Sequence, residues 1–205
     1  MRERAEGIIN QRVNPQRIEA GDSPENIEVM LTHSTHNPGL VILGLGSNKG
    51  DSRRIVLDAA AALEQVLAEF RMASLYETDP MYVTDQAVFV NTAVAGLYPG
   101  SLDSRSAREL LCRIHEIEAR FGRDRSMERR WGERSLDIDI LLFGNLTLNE
   151  PDLQIPHPRL KERRFALEPL LELLPGAVEP GTGLPYQTIC DGLSDQGVRR
   201  KQAIA

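Results

Sequence analysis

The spacing of apolar residues between positions 40 and 144 leaves few folds open. LVILGLG is a continuous apolar run of strand length, closed by the turn GSNKGD. SRRIVLDAAAALEQVLAEF then places Ile55, Ala59, Leu63, Val66, Leu67 and Phe70 at helical spacing. MASLYET reads as a second strand, DPMYVTDQ as a loop broken by Pro80, and VFVNTAVAGLY as a third strand. Residues 104–121 read as a helix. Ser104 or Ser106 can cap it, Leu110, Leu111, Ile114, Ile117 and Phe121 form its apolar face, and Gly122 stops it. SLDIDILLFG is the fourth strand. The order β-α-β-β-α-β predicts an α+β fold with a ferredoxin-like core, in which a mixed, mainly antiparallel sheet carries helices on one face. IPHPRLKERRFALEPLLELLPG adds extra C-terminal helices, one bounded by prolines and a short second one opened by Pro169.

The flanks differ in character. Residues 1–38 are polar, rich in Asn, Glu, Pro and Thr, and read as a poorly ordered N-terminal extension. His33 and His36 lie there without companion ligands and read as solvated. Residues 39–192 are expected to form one domain, and 193–205 a frayed C-terminal tail. The formal net charge of −6 argues against a general nucleic-acid binder. Cys112 and Cys190 are far apart and have no metal-binding spacing, so a reducing cytoplasm is the expected compartment. No apolar run reaches the roughly 18 residues of a membrane span, and MRERAEGIINQRV lacks the apolar core of a signal peptide. A monomer is expected.

The fourth strand poses the chemical question. Aspartate is depleted in strands, and a buried carboxylate without a partner is costly. Asp137 and Asp139 nevertheless alternate with Leu136, Ile138 and Ile140, so both point to one face, about 7 Å apart along the strand. Carboxylates so placed can share hard cations such as Mg²⁺ with phosphate oxygens and water. They can equally form a solvated face paired with arginines. Just upstream, GRDRSMERRWGER supplies Arg123, Arg125, Arg129, Arg130 and Arg134, with Arg120 preceding. Guanidinium groups suit bidentate phosphate recognition, and phosphoryl transfer needs cations around the migrating group. The plainer reading is a basic loop balanced by Glu128 and Glu133. Trp131, the single tryptophan, stands among charges and suits stacking or a lid better than a core.

Three further stretches qualify this picture. GLGSNKG is neither a dinucleotide fingerprint, because Lys49 stands where the third glycine belongs, nor a P-loop. It reads as a tight strand-to-helix turn, with Ser47, Asn48 or Asp51 near the cap. VFVNTAV puts Phe89 and Asn91 on one strand face, a ring and an amide able to read a flat heterocycle. PHPRLKERRF holds His157 between prolines beside Lys161, Arg163, Arg164 and Phe165, where contact with a polyphosphate and a plain surface histidine are both open. His115 is given no catalytic role.

From about residue 40 to 190 the chain resembles the 6-hydroxymethyl-7,8-dihydropterin pyrophosphokinases, a family of folate biosynthesis. The resemblance rests on LGLGSNKGD, YETDPMYVTDQAVFVNTAVAG, IEARFGRDR, RWGERSLDIDILLFGN and IPHPRLKERRF, in that order. It implies a Mg-dependent transfer of the terminal diphosphate of ATP to the pterin hydroxymethyl oxygen, with release of AMP and two Mg²⁺ ions as cofactors. By the same resemblance, Asp137 and Asp139 hold the metals, and Arg123 and Arg134 assist catalysis. Glu118, Trp131, Arg134, Ile140, His157 and Arg163 lie near ATP. Thr78, Met81, Phe89, Asn91, Trp131 and Phe165 surround the pterin, which two rings sandwich. The implied chemistry is in-line attack of the pterin hydroxyl on the β-phosphorus without a protein nucleophile. The arginine loop and residues 79–88 are expected to close over the substrates.

The chain departs from the family pattern at several positions. Phe89 stands where some relatives have Tyr, His115 where Gln is frequent, and Pro158 where Tyr can occur. The arginine loop is one residue longer than in some members, which leaves Arg125, Arg129 and Arg130 unmatched, and residues 1–38 have no counterpart. ATP and the hydroxymethyl dihydropterin are the expected partners, with no nucleic acid and no membrane. Two rivals are a two-metal transferase with another acceptor and a ferredoxin-like RNA-binding module. The second would require a basic, aromatic sheet face.

Overall fold

The computed structural model describes residues 39–80, 85–123 and 132–201. The expectations for residues 1–38, Met81, Arg125, Arg129, Arg130 and Trp131 lie outside the described residues. Strand β1 (Leu40–Ser47) is paired on both edges, antiparallel to β4 (Phe89–Leu97) and to β5 (Asp137–Phe143). Beyond β4 come β3 (Leu75–Thr78) and β8 (Arg199–Lys201), while β2 (Ala68–Met72) also pairs with β4. Every pairing in this sheet is antiparallel, not mixed as expected. Each helical crossover sets the next strand one position away, and an antiparallel strand fills the gap. A small hairpin, β6 (Leu148–Asn149) with β7 (Gln154–Ile155), escaped the sequence reading.

Helices cover both faces of the sheet, where one was expected. Side chains alternate along β1. Val41, Leu43 and Leu45 turn toward α1 (Ser52–Glu64) and α2 (Ser104–Arg120), in one core with Val56, Leu63, Leu110, Ile114, Ile138 and Ile140. Leu40 and Ile42 turn the other way, toward α3 (Arg164–Leu173) and α4 (Tyr186–Asp191), with Ala93, Ala95, Leu141, Leu167 and Leu170. The apolar stripe of α3 needs a sheet face to bury itself, and the outer face supplies one.

Local departures from the sequence pattern have identifiable causes. Asp51 caps α1 by accepting the Arg54 N–H, but the helix ends at Glu64, not Phe70. The N–H groups of Val66 and Leu67 both close on the Leu63 carbonyl. Phe70 therefore lies in β2, where strand alternation turns it to the same core that helical spacing would have reached. MASLYET divides at Ala73 and Ser74, whose carbonyls both accept the Thr92 hydroxyl. Asp103, not a serine, caps α2, accepting the Ser106 N–H at 2.8 Å. Pro169 lies inside α3 instead of opening a second helix, because burial of Leu167, Leu170 and Leu171 outweighs one missing backbone bond. Residues 199–201, read as part of a frayed tail, pair with β3.

Candidate active site

The floor of the main cleft is backbone. On the α3 side of β1, Gly44 and Gly46 stand between Asp139 and Asp137 of β5 and Ala93 and Asn91 of β4. A Cβ on Gly46 would lie 2.7 Å from Asn91 Oδ1, and one on Gly44 would press on Leu141 at 3.3 Å. A strand-interior glycine often marks such a close approach. These glycines belong to the strand, not to the turn after it, and they open a hollow that α3 reaches with Phe165 and Ala166 only at its first turn.

The acidic pair sits at one end of this hollow. Asp137 and Asp139 are 21% and 34% exposed, so both are partly shielded from water. Arg123 Nη1 donates to Asp137 Oδ1 at 2.5 Å, and Arg134 Nη1 donates to Asp137 Oδ2. Burial opposes the Asp137 charge, yet the guanidinium groups of Arg134 and Arg123 outweigh it and hold the carboxyl below its ordinary range. Asp139 lacks such close support, with Arg163 Nη1 at 3.4 Å and His157 Nε2 at 3.7 Å. Burial, followed by the neighbouring charge of Asp137, pushes its carboxyl up to about 7. The arginine pairing weighed from the sequence is thus realised at Asp137, while Asp139 is under-compensated.

The surrounding charges are themselves held in place. Glu118 is 1% exposed; its Oε1 accepts from Arg123 Nη1 and from the Ile138 N–H at 2.9 Å, tying α2, Arg123 and the edge of β5 together. His157 Nδ1 accepts the Arg159 N–H at 3.1 Å, so the neutral ring carries its proton on Nε2, facing Asp139. Burial, then the Arg163 charge, lower the His157 pKa to about 4. Arg163 Nε is buried without a hydrogen-bond partner among the described residues.

The other end of the hollow suits a flat polar ring. Asn91 Nδ2 donates to Thr78 Oγ1 at 2.7 Å, and both residues are buried. Phe89 and Phe165 line the same space, and the Arg163 guanidinium carbon lies 5.6 Å from the Phe165 ring centroid. Among the expected residues, Thr78, Phe89, Asn91, Arg134, Asp137, Asp139, Arg163 and Phe165 line one cleft. Arg123 and His157 join it through the two aspartates. Ile140 is not brought in: its side chain is buried in the core on the opposite face. Glu118 likewise serves as an anchor behind the cleft. Met81 and Trp131 lie outside the described residues.

The sequence reading missed several residues. Asn48 Oδ1 accepts the Arg134 N–H at 2.8 Å, its own N–H reaches the Arg134 carbonyl at 3.1 Å, and its Nδ2 donates to Gln86 Oε1 at 3.1 Å. One buried amide thus joins the C-terminal ends of the two loops expected to close. Asp79 and Gln86 also line the cleft. The Gly-x-Gly alternation inside an apolar strand was the available signal for the floor; no local signal announces the Asn48 bridge, whose partners are 38 and 86 residues away.

Comparison with known proteins gives the family and the fold. Residues 42–175 match the model of the family described as 7,8-dihydro-6-hydroxymethylpterin-pyrophosphokinase. The chain is 40% identical over 136 residues to the 2-amino-4-hydroxy-6-hydroxymethyldihydropteridine pyrophosphokinase of Bacillus subtilis, an alignment covering 65% of this chain and 77% of that one. It is 40% identical over 150 residues to the Pseudomonas aeruginosa protein of the same name, covering 71% and 87%. The fold is similar to that in a crystal structure of Plasmodium falciparum HPPK-DHPS, with a TM-score of 0.56 at 16% identity, over 75% of this chain and 43% of that one. Against the Pneumocystis and Arabidopsis folate-synthesis proteins, this chain spans 21% and 24% of their length.

Proposed function

The chain belongs to the 7,8-dihydro-6-hydroxymethylpterin-pyrophosphokinase family, and from that premise we propose how its cleft performs the family's reaction. The reaction is transfer of pyrophosphate from ATP to hydroxymethyldihydropterin in folate synthesis. The observation that carries the assignment of roles is the division of a single cleft. A carboxylate–guanidinium cluster occupies one end, and two phenylalanines with a buried Asn–Thr pair occupy the other.

At the ring end, Phe89 and Phe165 stack on the pterin, and Asn91 and Thr78 read its polar edge. At the phosphate end, Arg134, Arg123 and Arg163 receive the triphosphate, and Arg163 Nε, without an acceptor among the described residues, offers it a further donor. Each guanidinium that leaves Asp137 for a phosphate oxygen frees a carboxylate oxygen. The donor set fits magnesium, which uses one or two carboxylates together with substrate phosphates and water. Asp137 and Asp139 would hold two Mg²⁺ ions, and bound magnesium supplies positive charge to the phosphate oxygens. The hydroxymethyl oxygen attacks the β-phosphorus and loses its proton to solvent, the bond from that phosphorus to the oxygen bridging the α-phosphate breaks, and AMP leaves with the bridging oxygen. Arg123 and Arg134 meet the charge that develops on the phosphoryl group. His157, neutral and fixed by the Arg159 N–H, orients its Nε2–H toward this cluster. Ile140 contributes only main chain, and Glu118 acts by fixing Arg123. Asp137 and Asn91, which flank Gly46 from either side, therefore mark the two ends of one substrate path.

In the same reading, β1 to β5 with α1 and α2 form the ferredoxin-like core, α3 and α4 are its C-terminal additions, residues 39–192 are the catalytic domain, and 1–38 are an extension. The protein works as a cytoplasmic monomer on small molecules alone. The test is product analysis after incubation with ATP, Mg²⁺ and the hydroxymethyl dihydropterin. AMP and the pterin diphosphate are expected in equal amounts; ADP as the nucleotide product overturns the assignment.

A further inference from the structure

The chain after α4 is bonded both to the start of α3 and to Asp79, on two walls of the cleft. On the α3 wall, Leu193 O accepts from Arg164 Nη1 at 3.1 Å, and Gln196 Oε1 accepts the Arg164 N–H at 2.8 Å. Gln196 Nε2 donates to the Glu162 carbonyl at 2.9 Å. Arg163 occupies the N-cap position of α3 and makes no side-chain cap bond, so Gln196 supplies the cap from elsewhere in the chain. The residues it holds, 162 and 164, alternate with Arg163 and Phe165 of the cleft.

On the opposite wall, the strand pairs with β3, Glu77 facing Arg199. Arg199 grips Asp79 with two bonds, Nη2 to Oδ1 at 2.8 Å and Nη1 to Oδ2 at 3.2 Å. Asp79 lines the cleft and follows Thr78, which bonds Asn91. Gly197 lies between the two anchor points with φ +64, and a Cβ there would overlap the Asp79 carboxylate. Only glycine combines that left-handed conformation with so close an approach. The Arg199 and Asp79 side chains are 49% and 56% exposed, a setting in which an ion pair contributes little to stability. The pair therefore does more for position than for folding.

We propose that residues 193–201 are a strap that sets the width of the ring end of the cleft. Gln196 and Arg199 act as positioning residues for the pterin, holding the Phe165 wall at a fixed distance from the Thr78 wall. The proposal rests on the assignment of that end to the pterin. Arg200 provides an internal control: it lies on the same strand but bonds Glu172 and the Ser74 hydroxyl, away from the cleft.

The test compares Gln196→Ala, Gly197→Ala and Arg199→Ala with Arg200→Ala, in the full chain. The first three are expected to raise the pterin KM about tenfold while leaving the ATP KM within about twofold, a split that general destabilisation does not produce. Arg199→Lys, which keeps one charged bond, falls between Arg199→Ala and wild type. Arg200→Ala is expected to lower Tm as much as Arg199→Ala does without moving the pterin KM. Hydrogen exchange at residues 76–80 and 162–167 should quicken in the first three variants. A pterin KM unchanged by all three, or raised equally by Arg200→Ala, overturns the strap. If wild-type protein makes no pterin diphosphate, the catalytic assignment fails alone, and the exchange measurement decides the strap: unchanged protection rejects it.

Discussion

The two faces of the central strands teach different lessons from the same alternation. Along β1 and β5, Leu43, Leu45, Ile138 and Ile140 turn toward α1 and α2 and are 5% exposed or less. Their neighbours Gly44, Gly46, Asp137 and Asp139 turn the other way and line the cleft. One side of each strand is filled to the density of a core; the other is emptied by glycine and charged by aspartate. A residue's offset by one position therefore decides whether it holds the fold or serves the chemistry.

Substitution on the core face gives the largest expected effect on stability. Leu43→Ala removes a side chain with no exposure and should cost about 2–5 kcal/mol in denaturant unfolding. Turnover per folded molecule should stay within about twofold. A large fall in turnover at full foldedness would erase the distinction between the faces.

Gly46→Ala probes the cleft face. Its methyl carbon would sit 2.7 Å from Asn91 Oδ1 and must displace the amide from Thr78. The pterin KM should rise about tenfold, with a stability change of about 1 kcal/mol, well below that of Leu43→Ala. Titration calorimetry with the pterin checks it, and unchanged affinity would mean that Asn91 does not read the ring.

The smallest effect separates the faces by pH. The folded-state pKa of Asp139 is raised to about 7, from an ordinary 3.8. Its protonated form is favoured in the fold, so the stability it contributes is full below about pH 4 and lost as pH rises through about 7. Mg²⁺ competes with that proton and restores stability where the carboxylate is ionised. The rise in Tm on adding Mg²⁺ should therefore be a few degrees at pH 8 and near zero at pH 5. An equal rise at both values would contradict the assignment of Asp139 as a cation ligand.

Much of this was legible from the chain alone, for local reasons. The D-x-D of β5 and the Phe89–Asn91 pair obey a period of two, and period alone fixes which residues share a face. The end of α1, the single helix through Pro169 and the pairing of residues 199–201 were not legible, because each is settled by burial or pairing against distant segments. Asn48 and Gln196 show the limit most clearly. Both are ordinary polar residues in sequence, and their importance lies in partners 86 and 32 residues away.

The most direct test of the division between the faces is Asp139→Asn, with turnover and unfolding free energy measured on the same preparation. The substitution keeps the shape of the side chain and removes a charge that burial and Asp137 both disfavour. A loss of about 10³-fold in kcat is expected, with stability equal to or greater than wild type at pH 8. Turnover within tenfold of wild type, in a protein of unchanged stability, would contradict it.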